Sequence, residues 1–346
     1  MTMSNLPDLL KARPQLRYIF AGGKGGVGKT VAAAGMAYHF AAAGEKVLLA
    51  SLNPVHSLSS LFGQDLSGGR VREVHGAKGI HAVEVETTEV VAKYRDSIKG
   101  RVKEFLKWAD IPLDPRPFIE IATTNPAFEE SAMFDRMVDY ILAEGEAYDR
   151  IIFDTAAVAN AVRLIGLSKI YGLWLSRMIE SRKEALSLRV KLSFRRERME
   201  EEVKRDPLMA DLISMNDRFE KAKRVLVDPE RTGFFFVTLP LALPIAVVRR
   251  FIGMVRKFNI PVGGVIVNQV LRTEVAQQAS VGSYLANKYE EQIGYMKVLY
   301  RDLGPLVVSY IPLYPSEVTG PKMVARVSSD MMGYVPAFAR ELAGTA

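Results

Sequence analysis

Between an apolar run at residues 17–21 and a helix-forming stretch at 31–43 lies Gly22-Gly23-Lys24-Gly25-Gly26-Val27-Gly28-Lys29-Thr30. No other segment narrows the folding options so much. Gly23 through Thr30 fits G-x-x-x-x-G-K-[ST], a loop whose glycines let consecutive backbone N–H groups curl around phosphate oxygens. The loop needs a strand before it and a helix after it, because the helix N-terminus supplies part of the positive potential. The chemistry then assigns the positions. Gly23, Lys24, Gly25, Gly26, Val27 and Gly28 wrap the phosphates, Lys29 neutralises the β and γ oxygens, and Thr30 offers a hydroxyl to Mg²⁺.

The remaining pattern suits that setting. Short apolar runs at 46–51, 80–85, 150–154, 233–238, 263–268 and 306–311 alternate with longer helical patterns, as in repeated βα units. The expected class is α/β: a three-layer P-loop NTPase with a mainly parallel sheet and an inserted helical subdomain. Two stretches, 87–119 and 164–228, break the alternation. The expected division is a tail at 1–15, a nucleotide-binding domain at 16–86, 120–163 and 229–346, and a helical subdomain at 87–119 and 164–228. A chain of 346 residues is longer than one hydrophobic core usually supports, which fits an insertion.

Composition excludes several chemistries. Hydrophobic residues make up 49% and charged residues 25%, ordinary values for a globular chain. There is no cysteine, which removes disulfides, thiolate metal sites and thiol nucleophiles. The net charge of +7 suits phosphate ligands or anionic membrane surfaces, and no nucleic-acid partner is expected. The first 15 residues lack the apolar stretch of a secretory signal, so a cytoplasmic protein is expected. The uncharged run 233–248 is shorter than the roughly 20 residues of a membrane span and contains Pro240 and Pro244.

Lys24-Gly25-Gly26-Val27-Gly28-Lys29-Thr30 resembles the deviant Walker A of a family that includes partition and septum-site ATPases, nitrogenase iron protein, and the arsenite-pump and tail-anchored-protein-targeting ATPases. In that family the lysine at the position of Lys24 crosses a subunit interface to the partner's nucleotide. The resemblance implies a homodimer with ATP between its subunits. Ser51-Leu52-Asn53-Pro54-Val55-His56-Ser57-Leu58-Ser59-Ser60-Leu61-Phe62-Gly63 resembles switch I of the arsenite-pump and targeting branch, Asp-Pro-Ala-His-Ser-Leu-Ser-Asp-x-Phe-Gly. Pro126-Ala127-Phe128-Glu129-Glu130 is similar to the branch's Pro-Gly-x-x-Glu segment. Tyr148-Asp149-Arg150-Ile151-Ile152-Phe153-Asp154-Thr155-Ala156, with Arg163, resembles its Walker B and switch II. Asp154 ends an apolar strand, where a carboxylate can hold Mg²⁺ through water near Thr30. Val267-Asn268-Gln269 resembles the triplet whose asparagine reads adenine. The stretch from Ile311 through Pro312 and Leu313 to Val318 is similar to the loop that closes over the base.

Three departures modify the expectation. Asn53 stands where the branch has the aspartate that orients the attacking water, and an amide cannot accept a proton as a carboxylate can. Slowed hydrolysis is expected, because positioning and electrostatics still operate. Ala157-Val158-Ala159-Asn160 replaces Pro-Thr-Gly-His, and Ala159 removes a glycine's easy positive φ. The Cys-x-x-Cys that holds zinc across the relatives' dimer interface is missing from 271–287, and the four histidines, His39, His56, His75 and His81, lack ligand spacing. No zinc is expected.

The insertion carries Trp174, Met178, Met199, Met209 and Met215, and methionine suits an adaptable apolar surface. These residues either line a groove for a client's transmembrane segment, as the resemblance implies, or fill the subdomain's own core. Leu186 to Arg195 alternates strictly, as a strand would, yet as a helix it carries two apolar stripes with basic residues between. The leading function is an ATP- and Mg²⁺-dependent dimeric ATPase that couples nucleotide state to targeting of hydrophobic segments, with a membrane receptor and transient membrane association. The alternatives are a nucleotide switch with little hydrolysis acting on a protein partner, and an arsenite-pump-driving ATPase, which the lack of cysteine disfavours.

Overall fold

A computed structural model describes residues 5–53, 57–108, 114, 116, 120, 127–155, 176, 177, 180, 184, 187 and 207–344. The chain forms two compact units: Met1–Glu86 with Ala143–Val162 and Leu226–Ala346, and Thr87–Leu142 with Arg163–Val225.

The first unit is built on strands β1 (Tyr18–Gly23), β2 (Val47–Ser51), β3 (Arg72–Glu73), β4 (Ile80–Glu84), β5 (Arg150–Asp154), β6 (Thr232–Thr238), β7 (Val262–Val270) and β8 (Val307–Pro312). They form one sheet in the order β3-β4-β2-β5-β1-β6-β7-β8. Every neighbouring pair is parallel except β3 and β4. The seven apolar runs expected as strands are all strands. β3 was not expected, because two polar residues paired antiparallel with His81 and Ala82 leave no apolar run to read.

Central strands covered on both faces explain the continuous apolar runs. On one face, α1 (Leu6–Ala12), α2 (Lys29–Ala42), α3 (Ser57–Phe62) and α10 (Gly320–Gly333) close over Ile19, Leu49, Ile152, Phe235 and Ile266. Ala32, Ala33, Ala34 and Ala37 let α2 approach the sheet closely, and Met36 is buried in the same cluster as Val327 and Met331. Phe20 stacks between Phe153 and Phe234 on the neighbouring strands, with ring centroids 4.8 and 4.3 Å away. Such pairs add about 0.5–1.5 kcal/mol each beyond burial, and they hold β1 in register at the sheet centre. α7 (Ala242–Lys257) buries Ile245, Val248, Ile252 and Val255. β7 runs through α8 (Thr273–Gln277) into α9 (Tyr284–Leu303), and α11 (Ala337–Gly344) ends the described chain.

The second unit contains α4 (Thr87–Trp108), α5 (Ala127–Leu142) and all but the last two residues of α6 (Pro207–Val227). Phe128 and Ala132 of α5 bury against Val91 of α4, and the Tyr94 and Phe128 rings lie 5.1 Å apart. Arg218 of α6 bridges Asp139 at 2.6 Å and Asp135 at 3.2 Å. Residues 127–142, grouped from sequence with the nucleotide-binding domain, cluster with this unit instead, since α5 buries its apolar face on α4. Pro54, His56, Pro126, Ala157, Ala159, Arg163, Trp174, Met178, Met199 and, apart from Ser187, the alternating segment 186–195 lie outside the described residues, as do the side chains of Met209 and Met215. No helix among the described residues is long and apolar enough to cross a membrane.

Candidate active site

The glycine loop leaves β1 at Gly23 and enters α2 at Lys29. Two glycines are dictated by their surroundings. A Cβ on Gly23 would lie 2.4 Å from the Val237 carbonyl oxygen of β6. Gly28 caps α2 at φ 90°, and a Cβ there would lie 2.0 Å from the Asn268 amide nitrogen. Only glycine combines that backbone with that approach.

Lys29 is buried, and its Nζ donates to the Lys24 carbonyl at 3.2 Å. Burial lowers its pKa, and the Asp154 charge opposes that shift. Thr30, the next residue, donates its hydroxyl to Asp154 Oδ2 at 2.7 Å, so the strand-end carboxylate of β5 meets the first turn of α2 as the motifs imply. Ser57 and Ser51 donate to the same oxygen at 3.4 and 3.5 Å. The other oxygen, Oδ1, is buried and meets no donor among the described residues. Burial pushes the Asp154 pKa up, against the opposing pull of the Thr30 hydroxyl, Lys29, Ser57 and Ser51. An unsatisfied buried carboxylate oxygen beside a threonine hydroxyl is a hard-oxygen donor set, which fits Mg²⁺.

Lys24, Gly25 and Gly26 are exposed at the loop crest. Asn53 stands half-buried two residues beyond β2, its backbone N–H donating to Ser51 Oγ at 3.3 Å.

A cavity of about 610 Å³ is lined by Gly26, Gly28 and Thr30 of the loop, Ser57 of α3, and Asn268, Pro312 and Leu313 at the ends of β7 and β8, among others. Phosphate-loop residues and the three residues assigned to the base thus share one cleft, of a size that takes a nucleotide-sized ligand. Lys24, Lys29, Asn53 and Asp154 are not part of that lining. The Leu313 N–H donates to the Val270 carbonyl at 2.9 Å, tying the β8 end to β7. Tyr314, also in the lining, donates to Asp330 at 2.7 Å.

Sequence reading assigned no role to Ser51, Ser57 or Glu84. Glu84 ends β4 and is buried. Its carboxylate accepts the N–H groups of Leu58 at 2.7 Å and Ser59 at 3.0 Å, and the Ser59 hydroxyl at 2.6 Å. It therefore clasps the start of α3, whose first residue carries the Ser57 hydroxyl near Asp154. Ser51, Glu84 and Asp154 are register partners along the C-terminal edge of the sheet. Polar residues closing three apolar runs were the available signal, since ligands gather at that edge in open α/β sheets.

A glycine loop at the centre of a parallel sheet, with a strand-end aspartate on the adjacent strand touching its threonine, defines a P-loop nucleoside triphosphatase. The chain belongs to the family described as Anion-transporting ATPase, which matches residues 16–333. It is 31% identical over 327 residues to ATPase GET3C of Arabidopsis thaliana, covering 88% of this chain and 80% of that protein. It is 26% identical over 325 residues to ATPase get3 of Aspergillus niger, covering 93% and 92%. It is also 26% identical over 305 residues to Putative arsenical pump-driving ATPase 2 of Aquifex aeolicus, covering 88% and 95%. Membership supports ATP binding and ATPase activity.

Proposed function

We propose that this chain is a Mg²⁺-dependent ATPase that works as a homodimer and couples its nucleotide state to the capture and targeting of hydrophobic membrane-protein segments. The observation that carries the reading is the single cleft joining the phosphate loop to Asn268, Pro312 and Leu313, with the Thr30–Asp154 contact beside it. Loop N–H groups and Lys29 hold the β and γ phosphates, and Asn268, Pro312 and Leu313 receive the adenine. Thr30 and Asp154 hold Mg²⁺, which when bound neutralises charge building up on the transferring phosphoryl group. Exposed Lys24 reaches across the dimer to the partner's nucleotide. Asn53 orients water by hydrogen bonding without taking its proton, so turnover is slow. With no cysteine in the chain, the dimer closes by packing and shared nucleotide, without a thiolate-held zinc, and arsenite does not stimulate it.

The helical unit supplies the client surface. Similarity to proteins named GET3 and get3 supports this, together with the expected methionine-rich surface. A second reading, a nucleotide switch with little turnover, is favoured by Asn53. Phosphate release by the wild type and by Asn53→Asp separates the two. The ATPase reading expects measurable Mg²⁺-dependent turnover that rises in Asn53→Asp. Absence of turnover in both proteins, with ATP still bound, selects the switch. Client capture is checked by co-expression with a tail-anchored protein, which is expected to yield a soluble complex. Failure with every tail-anchored protein tried removes the targeting assignment.

A further inference from the structure

Asn268 does more in this structure than its place in the cleft requires. Its side-chain amide nitrogen donates to the Val27 carbonyl at 2.8 Å, across 241 residues of sequence, and the side chain is buried. Its Oδ1 accepts the N–H of Gln269 at 2.8 Å. Gln269 sits at φ 56°, a left-handed conformation unfavourable for a residue with a long side chain, and this local bond stabilises it. Val27 is itself buried and lies between Gly26 and Gly28, both at positive φ. Gly28 leaves the space in which the amide sits, since a Cβ there would lie 2.0 Å from the Asn268 nitrogen. The asparagine is therefore built into the phosphate loop from β7, two strands away from β1 in the sheet.

We propose that Asn268 is a positioning residue of the phosphate loop: its hydrogen bond to the Val27 carbonyl fixes the loop in its phosphate-gripping form and ties the β7 end of the cleft to it. The loop's N–H groups act only if the intervening carbonyls are turned away from the anion, and a carbonyl held by a donor cannot rotate inward. One amide carries two N–H groups, so Asn268 can keep Val27 and still face a base. A base docking at Asn268 then restricts the same group that fixes the phosphate loop, and the two halves of a nucleotide bind cooperatively. This rests on the nucleotide-site reading above and adds to it, because a residue that only reads the base has no effect on a ligand without one.

The test compares Mg²⁺ with inorganic triphosphate and with ATP, by calorimetry, on the wild type and Asn268→Ala. Thermal unfolding and hydrogen exchange of residues 24–30 are followed without ligand. Loss of one buried neutral hydrogen bond is expected to weaken triphosphate binding about three- to ten-fold, with ATP weakened at least as much and exchange at 24–30 accelerated. Unchanged triphosphate affinity with weakened ATP binding overturns the proposal and leaves Asn268 a base reader alone. Should Asn268→Ala fail to fold, Asn268→Asp keeps the acceptor for the Gln269 N–H and removes the donor to Val27. Exchange at 24–30 in that ligand-free variant is expected to accelerate, and unchanged exchange overturns the proposal. If the wild type binds neither triphosphate nor ATP, the nucleotide-site reading fails, while the ligand-free exchange still decides the role of Asn268.

Discussion

Glu84→Ala is expected to disable the site from outside the phosphate loop. The carboxylate accepts two backbone N–H groups and a hydroxyl between 2.6 and 3.0 Å at the start of α3. Bonds to a charged acceptor contribute about 1.5–3 kcal/mol each, and they are not additive. Removing the carboxylate also relieves its own desolvation, so a net loss of about 2–4 kcal/mol is expected. α3 has 6 residues, far below the roughly 12–15 at which an isolated helix is even marginal in water. Without the clasp it relies on the burial of Leu58, Leu61 and Phe62. Ser57, its first residue, then loses its position 3.4 Å from Asp154 Oδ2. Small misplacements at a reacting centre cost up to about 100-fold, and a fall in kcat/KM of at least about ten-fold is expected from steady-state phosphate release. Glu84→Gln keeps a carbonyl acceptor for the N–H pair and is expected to recover most stability in denaturant titrations. If Glu84→Ala loses stability but keeps full kcat/KM, the clasp does not position the site. If it loses neither, the three bonds contribute nothing.

Two further substitutions probe the site and the second unit. Asp154→Asn removes a buried carboxyl whose pKa is raised by burial. Between the unfolded value and the raised folded value the ligand-free fold binds this proton more tightly than the unfolded chain does, so this group's contribution to stability is present at acid pH and is lost as pH rises through the folded value. Thermal melts between about pH 4 and 8 are expected to show that decline without Mg²⁺-nucleotide, a flatter profile in Asp154→Asn, and no Mg²⁺-dependent turnover in the variant. An unchanged pH profile contradicts this. Phe128→Ala opens a cavity between α4 and α5 and is expected to cost about 3–5 kcal/mol locally. Hydrogen exchange should accelerate at 87–108 and 127–142 while ATP affinity stays within about two-fold, and a large loss of ATP affinity refutes the separation into two units.

Strand positions were legible because a sheet covered on both faces demands continuous apolar runs, and 150–154 was read to the residue. The strand order was not, since nothing local in a strand names its neighbour. The glycine loop announced its own setting, and Asp154 was readable as the polar residue closing a run of isoleucines and a phenylalanine. Glu84 closes a run in the same way, yet its role depends on a helix 22 residues or more earlier in the chain, which only the register of β4 beside β2 brings to it. Asn268 was read as a base contact, and its grip on Val27 lies beyond any local pattern. Residues 127–142 were grouped with the nucleotide-binding domain for a related reason. An amphipathic helix shows that it has a face to bury, and the partner is chosen by Val91 of α4 at the level of packing.

The most direct test of the central claim, that the cleft between the phosphate loop and the β7–β8 ends binds and hydrolyses Mg²⁺-ATP, is calorimetric titration of ATP with and without Mg²⁺ into the wild type and Lys29→Ala. Saturable binding strengthened by Mg²⁺ in the wild type, weakened at least about 100-fold in the variant as the loss of about 2.7 kcal/mol of charge-assisted contact requires, is the expected result. Equal ATP affinity in the two proteins, or binding indifferent to Mg²⁺, contradicts it.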